Sequence, residues 1–199
     1  KKIEEVKKLD IPIKMIASSH GVIWRREPEK IVNAYLSWAK NEVKNKVVIV
    51  YETMWGSTAK MARKITDGIT DYGFEAKLFD VALSDRTEVI KEMLDAKGFI
   101  IGSSTHDNDM LPNIASFMEL LKGMKAKGRL ACVFGSYGWA GGAVKEIEEI
   151  LKEAQIPLAQ GSLALKYVPS EEEKEACYNF GKEFVRKINQ GGYYGKESK

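Results

Sequence analysis

The sequence predicts a three-layer α/β protein, a doubly wound five-stranded parallel sheet preceded by a strand-and-helix appendage. Three observations carry that expectation. From Lys46 onward, short apolar runs alternate with amphipathic stretches of helical period, the pattern of a parallel sheet covered on both faces. The first apolar run, Val47-Val48-Ile49-Val50-Tyr51, breaks at once into the hydroxyl-rich Thr53-Met54-Trp55-Gly56-Ser57-Thr58. The connections after the first, third and fourth apolar runs are polar or glycine-rich, as loops that meet at one end of a sheet need to be.

Taken in order, the first strand is Val47–Tyr51. The helix after it places Ala59, Ala62, Ile65, Ile69 and Tyr72 on one face, and Gly73 stops it. A strand follows near Phe74–Phe79, then a helix carrying Val89, Ile90, Met93 and Leu94. Gly98–Gly102 reads as a short buried strand. Pro112 opens a helix with Ile114, Phe117, Met118 and Leu121 inward. Leu130–Phe134 is the fourth strand, and the next helix bears Val144, Ile147, Ile150 and Leu151. A last strand near Leu158–Leu165 precedes a helix that begins with the capping box Ser170…Glu173 and buries Cys177, Phe180, Phe184 and Ile188. Five such β-α units make a flavodoxin-like sheet of order 2-1-3-4-5 over residues 46–190. The first 45 residues fall outside the pattern: Ile11–Ala17 reads as a strand, Ser18-Ser19-His20-Gly21 as a turn, and Pro28–Ala39 as a helix with Ile31, Tyr35 and Trp38 on one face. Residues 191–199, rich in Gly, Tyr and Lys, read as a loose tail.

Composition bounds the partners. The 199 residues are 44% hydrophobic and 30% charged, as in a soluble globular chain with one large core. A net charge of +3, spread along the chain, gives no nucleic-acid patch. No apolar run approaches the roughly 20 residues of a membrane span, and no signal-peptide pattern is present. Cys132 and Cys177 are far apart and match no metal or redox spacing, so a reducing, cytoplasmic location is expected. The chain begins at Lys1 without a methionine, which suggests the removal of an upstream segment.

A buried strand that breaks into hydroxyl residues and then opens a helix is a phosphate cradle. Thr53, Ser57 and Thr58 offer hydroxyl donors, Gly56 lets the backbone approach, and the free N–H groups of the first helical turn point at the anion. No Lys or Arg lies in the loop, so neutral donors and the helix dipole do the binding. The P-loop pattern and the dinucleotide fingerprint G-x-G-x-x-G are both missing here. After strand three comes Ser103-Ser104-Thr105-His106-Asp107-Asn108-Asp109-Met110, longer than a connection needs. After strand four comes Gly135-Ser136-Tyr137-Gly138-Trp139-Ala140-Gly141-Gly142, where aromatics between glycines suit stacking on a flat ring, although Tyr137 and Trp139 could also pack under a neighbouring loop. A flat ring with one phosphate describes flavin mononucleotide (FMN), whose chemistry the protein orients and tunes. His106 either hydrogen-bonds this ligand or structures its own loop, and no nucleophile or acid–base pair demands a separate mechanism.

The runs T-M-W-G-S-T, S-S-T-H-D-N-D-M-L-P-N-I and F-G-S-Y-G-W-A-G-G-A resemble the flavodoxin domain of flavodiiron proteins, the A-type flavoproteins, over about Ile11 to Ile188. The stretch S-S-H-G-V-I-W-R and the helix ending Y-L-S-W-A resemble the end of that family's metallo-β-lactamase-like domain and the bridge out of it. The resemblance implies FMN held by Thr53, Met54, Trp55, Gly56, Ser57, Thr58, Ser104, Thr105, His106, Asn108, Ser136, Tyr137, Gly138, Trp139 and Gly141. It implies that His20 matches the last histidine ligand of a di-iron centre whose other ligands lie upstream, in a missing metallo-β-lactamase-like half. One imidazole does not hold two irons. By the same resemblance, a rubredoxin, a reduced deazaflavin or a flavin reductase supplies electrons. The irons then reduce oxygen to water or nitric oxide to nitrous oxide, across a head-to-tail homodimer in which each flavin lies near its partner's irons, with Trp24 and Arg25 as bridge residues. The family more often has Pro where Ser104 stands and uncharged residues near Asp107 and Asp109. The added negative charge there would disfavour an anionic reduced flavin or steer a basic donor.

Two other classes compete. A stand-alone flavodoxin-type carrier, with no reaction of its own, has no need of the first 45 residues. A signalling receiver needs an acidic cluster at the strand ends, and Tyr51-Glu52-Thr53 offers too little of one.

Overall fold

The computed structural model describes residues 2–124, 126 and 128–190. It divides into two units, Lys1–Glu42 and Val43–Lys199. The tail expected over 191–199 lies outside the described residues.

The first unit holds two helices, α1 (Lys2–Lys7) and α2 (Glu29–Ala39). The strand expected at Ile11–Ala17 does not form. Ile16 makes a single antiparallel bridge with Trp24, with N–H to carbonyl distances of 3.1 and 2.9 Å, and the rest of the segment is irregular. Pro12 donates no hydrogen bond, and among the described residues no neighbouring strand runs alongside to make a ladder. Helix α2 carries Ile31, Tyr35 and Trp38 on one face as expected, with Tyr35 exposed and meeting Trp38 edge-on, ring centroids 5.4 Å apart, while Val32 is its buried residue.

The second unit is the sheet domain. Its elements in order are β1 (Lys44–Glu52), α3 (Ser57–Asp71), β2 (Glu75–Asp80), α4 (Arg86–Met93), β3 (Ala96–His106), β4 (Asp109–Met110), α5 (Pro112–Met124), β5 (Leu130–Tyr137), α6 (Ala143–Glu153), β6 (Leu163–Lys166) and α7 (Glu171–Gln190). The strand order is β2-β1-β3-β5-β6, all parallel, with β4 paired antiparallel to the end of β3. This is the expected 2-1-3-4-5 order with one two-residue strand added. The chain reverses direction across the sheet between β1 and β3, so their carboxyl ends flank the switch point.

Residues of β1 alternate between two cores. Val48 and Val50 join Phe99, Ile101, Ile114, Phe117, Met118, Ile147 and Leu151 on the side of α4, α5 and α6. Val47, Ile49 and Tyr51 join Ala62, Ile65, Ile69, Phe134, Cys177 and Phe184 on the side of α3 and α7. The inward residues named for α5 are all fully buried. The last strand is shorter than expected, because Leu158 makes an isolated bridge to Ala131 and the chain turns before β6 begins at Leu163. Helix α7 has its capping box: Glu173 N–H donates to Ser170 Oγ at 3.2 Å, and Ser170 N–H donates to Glu173 Oε2 at 2.8 Å. No helix among the described residues is long and apolar enough to cross a membrane.

Candidate functional site

The hydroxyl-rich loop joins β1 to α3. Gly56 is the N-cap of α3 and sits in the left-handed region, φ +86°, where only glycine is free of strain. It has no side chain to cap the helix, so the first-turn N–H groups of α3 are left for a ligand. Thr53 Oγ1 accepts a 3.0 Å hydrogen bond from Gly56 N–H, which folds the loop and leaves the Thr53 hydroxyl hydrogen to donate elsewhere. Thr58 departs from the expectation of a phosphate donor. Its side chain is fully buried and hydrogen-bonded to Ser104 and Ser136, because the second residue of α3 turns toward the sheet.

The segment after the third parallel strand is a hairpin. β3 runs on to His106, Thr105 pairs with Met110 and His106 with Asp109, and Asp107 (φ 51°) and Asn108 (φ 64°) make a two-residue turn with both residues left-handed. Leu111 N–H donates to Ser103 Oγ at 2.9 Å, fixing the return of the hairpin. Its tip meets the next loop closely: a Cβ on Gly142 would stand 1.8 Å from the Asn108 carbonyl oxygen. His106 is half exposed and faces Asp107 at 3.4 Å, a surface pair of little energetic consequence.

The ends of β1, β3, β5 and β6 enclose a cleft of about 260 Å³. Met54, Trp55 and Ser57 line one wall, Ser104 and Thr105 the second, and Ser136, Tyr137 and Gly138 the third. Eight of the expected site residues are thus brought together. Thr53 and Gly56 shape the cradle's backbone, Thr58 lies beneath the cleft, and His106, Asn108, Trp139 and Gly141 stand outside its walls. Trp55 and Trp139 are 89% and 96% exposed, so neither indole is spent on core packing.

The remaining wall was not anticipated. Tyr167 and Val168, directly after β6, close the cleft. Tyr167 has φ +65° and its N–H donates to the Tyr137 carbonyl at 2.8 Å, while Lys166 Nζ lies 5.1 Å from its ring centroid. No glycine flanks Tyr167, so the signal that marked Tyr137, an aromatic between glycines, is missing there. Glu52 shapes the site as well, a role that no sequence pattern marks. It is buried at the end of β1 and accepts from Asn113 N–H (3.0 Å), Ile114 N–H (3.2 Å) and Asn113 Nδ2 (2.6 Å), which ties the start of the cradle to the first turn of α5.

An uncapped helix start, hydroxyls, exposed aromatics and no cationic wall residue suit one phosphate and one flat ring. A larger cavity of about 600 Å³, among Lys145, Glu148, Lys152, Ile156 and Leu158, lies beside the amino end of β5 and has no such donor set. In the first unit, exposed His20 lines a separate cavity of about 380 Å³ with Ile3, Ile16, Trp24 and Tyr35. Among the described residues no group of three or more His, Cys, Asp or Glu side chains is placed to hold a metal ion.

Residues 49–181 match the flavodoxin family model. The chain is 44% identical over 189 residues to a nitric oxide reductase of Moorella thermoacetica, covering 94% of this chain and 47% of that protein. It is 39% identical over 187 residues to the anaerobic nitric oxide reductase flavorubredoxin of Escherichia coli, covering 93% of this chain and 39% of that protein. The rubredoxin oxygen:oxidoreductase from the anaerobe Desulfovibrio gigas superposes with a TM-score of 0.82 at 30% identity, covering 94% of this chain and 47% of that one. The chain spans less than half the length of these relatives.

Proposed function

This chain belongs to the flavodoxin family, and on that premise we propose that it is the electron-transfer part of a flavodiiron oxidoreductase. FMN is the cofactor of the family's domain, and it supplies the one- and two-electron chemistry when bound. The observation that carries the assignment is the convergence of three loops on one cleft at the switch point, beside a helix start that no side chain caps.

In this reading the first-turn N–H groups of α3, with Thr53 and Ser57, hold the phosphate. Trp55, Tyr137 and Trp139 cover the ring, and Thr105, Gly138 and Gly141 offer backbone groups to its polar edge. His106 and Asn108 border the ring from the hairpin. Tyr167 and Val168 shut the remaining side against water.

The assignment to a larger oxidoreductase rests on relatives whose names are reductases and of which this chain spans 47% and 39%. Residues 1–45 are then the end of a metallo-β-lactamase-like domain and a bridging helix, and His20 is one ligand of a di-iron site completed by an upstream half. The full assembly reduces oxygen to water or nitric oxide to nitrous oxide. It takes electrons from a rubredoxin, a reduced deazaflavin or a flavin reductase, and works in the cytoplasm as a head-to-tail homodimer or larger assembly.

Titration of the purified chain with FMN, followed by absorbance and metal analysis, tests the first part. One FMN per chain with no iron is expected; a protein that stays colourless defeats it. Joined to an upstream half, the assembly should consume oxygen or nitric oxide. Oxygen uptake that yields only peroxide counts against the di-iron reading.

A further inference from the structure

Tyr167, directly after β6, has φ +65°, a left-handed backbone that a bulky side chain adopts only under strain. The other non-glycine residues in that region, among those described, are Asp10, Glu27, Asn41, Asp107, Asn108 and Gln155, so Tyr167 is the one aromatic there. Two contacts fix the bend. Tyr167 N–H donates to the Tyr137 carbonyl at 2.8 Å, one step beyond the Tyr137–Lys166 pair that ends the ladder of β5 and β6. Pro169 is buried two residues further on, and a proline steers the residue before it to extended backbone. Val168 is thereby held straight, and the reversal of the chain falls on Tyr167.

Packing does not account for a tyrosine at this bend. Its side chain is 62% exposed and belongs to neither core. Asn or Gly would make the same turn with little or no strain. What the ring does have is a place in the cleft, which it lines from the side of β6. Tyr167 Cε1 lies 3.6 Å from the point where a Cβ on Gly138 would stand, so the ring rests against the loop that carries Trp139. Lys166 Nζ, 5.1 Å from the ring centroid, holds it by a cation–π contact.

We propose that Tyr167 is a ring-binding residue of the cofactor site, and that its strained backbone is retained because it sets the phenol as the cleft wall on the side of β6. The proposal rests on the FMN reading above. It gives Tyr167 to the flat ring of the ligand and leaves the phosphate to α3. A residue kept for the fold would weaken stability and affinity together when replaced. A residue strained for the ligand sets the two in opposition: relieving the bend stabilises the chain and weakens binding.

The test compares the wild-type chain with Y167N and Y167F. Melting of the flavin-free chain reads the strain, and FMN titration with the visible absorption spectrum of the bound flavin reads the ring contact. Y167N is expected to melt about 2–4 °C above the wild type. It should bind FMN about tenfold more weakly and shift the visible band of the bound flavin. Y167F keeps both the ring and the bend, and should match the wild type in all three readings. A Y167N chain that melts at or below the wild type overturns the proposal, as does one that binds FMN with wild-type affinity or an unchanged spectrum. A Y167F chain as weak as Y167N also overturns it, since the hydroxyl and not the ring would then carry the contact. If the wild-type chain binds no FMN, the proposal and the FMN reading fall together; if it binds and Y167N fails any of its readings, the proposal falls alone.

Discussion

Glu52 sits 7% exposed at the end of β1 and takes three hydrogen bonds, all from Asn113 and Ile114 at the start of α5. The amide of Asn113 is held in turn by Arg86, which donates to its Oδ1 at 3.4 Å and to Ser116 Oγ at 2.6 Å. Removing the carboxylate strands two N–H groups and a half-buried amide, so Glu52→Ala should cost about 2–4 kcal/mol, whereas Glu52→Gln keeps one acceptor oxygen and should cost clearly less. Urea denaturation of both variants checks this; equal losses would mean that the hydrogen bonds do not carry the effect. The thiols make a second expectation at this scale. Burial pushes the Cys177 thiol up to about 11 and Cys132 well above its ordinary value. Neither should react with a disulfide reagent at pH 8 until the protein is unfolded, when both should. The cysteines were legible as core residues because each lies in an apolar pattern. Glu52 was not, since a charge at a strand end reads as solvated until the helix that shields it is in place.

At the scale of elements, the hairpin formed by β3, β4 and the Asp107-Asn108 turn is pinned against the loop before α6. Gly142→Ala would drive a methyl group into the Asn108 carbonyl, and neither backbone can yield without moving a wall of the cleft. The variant should lose about 1–3 kcal/mol of stability and bind FMN at least about tenfold more weakly, measured by melting and by flavin titration. Binding at the wild-type level would show that the hairpin does not shape the site. At the opposite end of the sheet, Lys46 is nearly buried and pairs with Glu92 at 2.8 Å and with Asp95, which also holds Lys44 at 2.7 Å. Burial pushes Asp95 up, but hydrogen bonds from Lys44 and Lys46 outweigh it, so Asp95 falls below its ordinary 3.8. The hydrogen bond from Lys46 holds Glu92 below its ordinary 4.5. Depressed carboxyl values mean that this stabilisation is complete above about pH 4.5 and is lost as pH falls through the lowered values. Lys46→Met should cost about 3–5 kcal/mol at pH 7 and flatten the acid limb of the stability curve. An unchanged acid limb would show that the cluster does not govern it. The alternation of strands and helices was readable because apolar period is local. The hairpin was read as a loop because its two-residue turn lacks the glycine that usually announces one.

For the sheet domain as a whole, bound FMN should raise stability by mass action, about 2.7 kcal/mol at a ligand concentration one hundred times Kd. The melting temperature should therefore climb with added FMN and stay unmoved by riboflavin if the phosphate cradle carries the affinity. An equal rise with riboflavin would move the weight of binding from α3 to the ring. The first unit stands differently. Val6, Leu9, Ile11, Met15, Val22 and Ile23 are all exposed, and 42 residues with so little interior fall short of an independent core. By itself the sequence determined the alternating strands and helices of the parallel sheet and the hydroxyl-rich start of α3, because apolar period and helix caps act within a few residues of each other, and the strand order followed from the flavodoxin-like pattern they make. Only the tertiary structure decided that Thr58 turns inward to Ser104 and Ser136, that Tyr167 and Val168 complete the cleft, and that Ile11–Ala17 forms no strand. Each of those depends on which distant segment lies alongside, and a hydroxyl, an aromatic ring or an extended run takes its role from the partner it finds there.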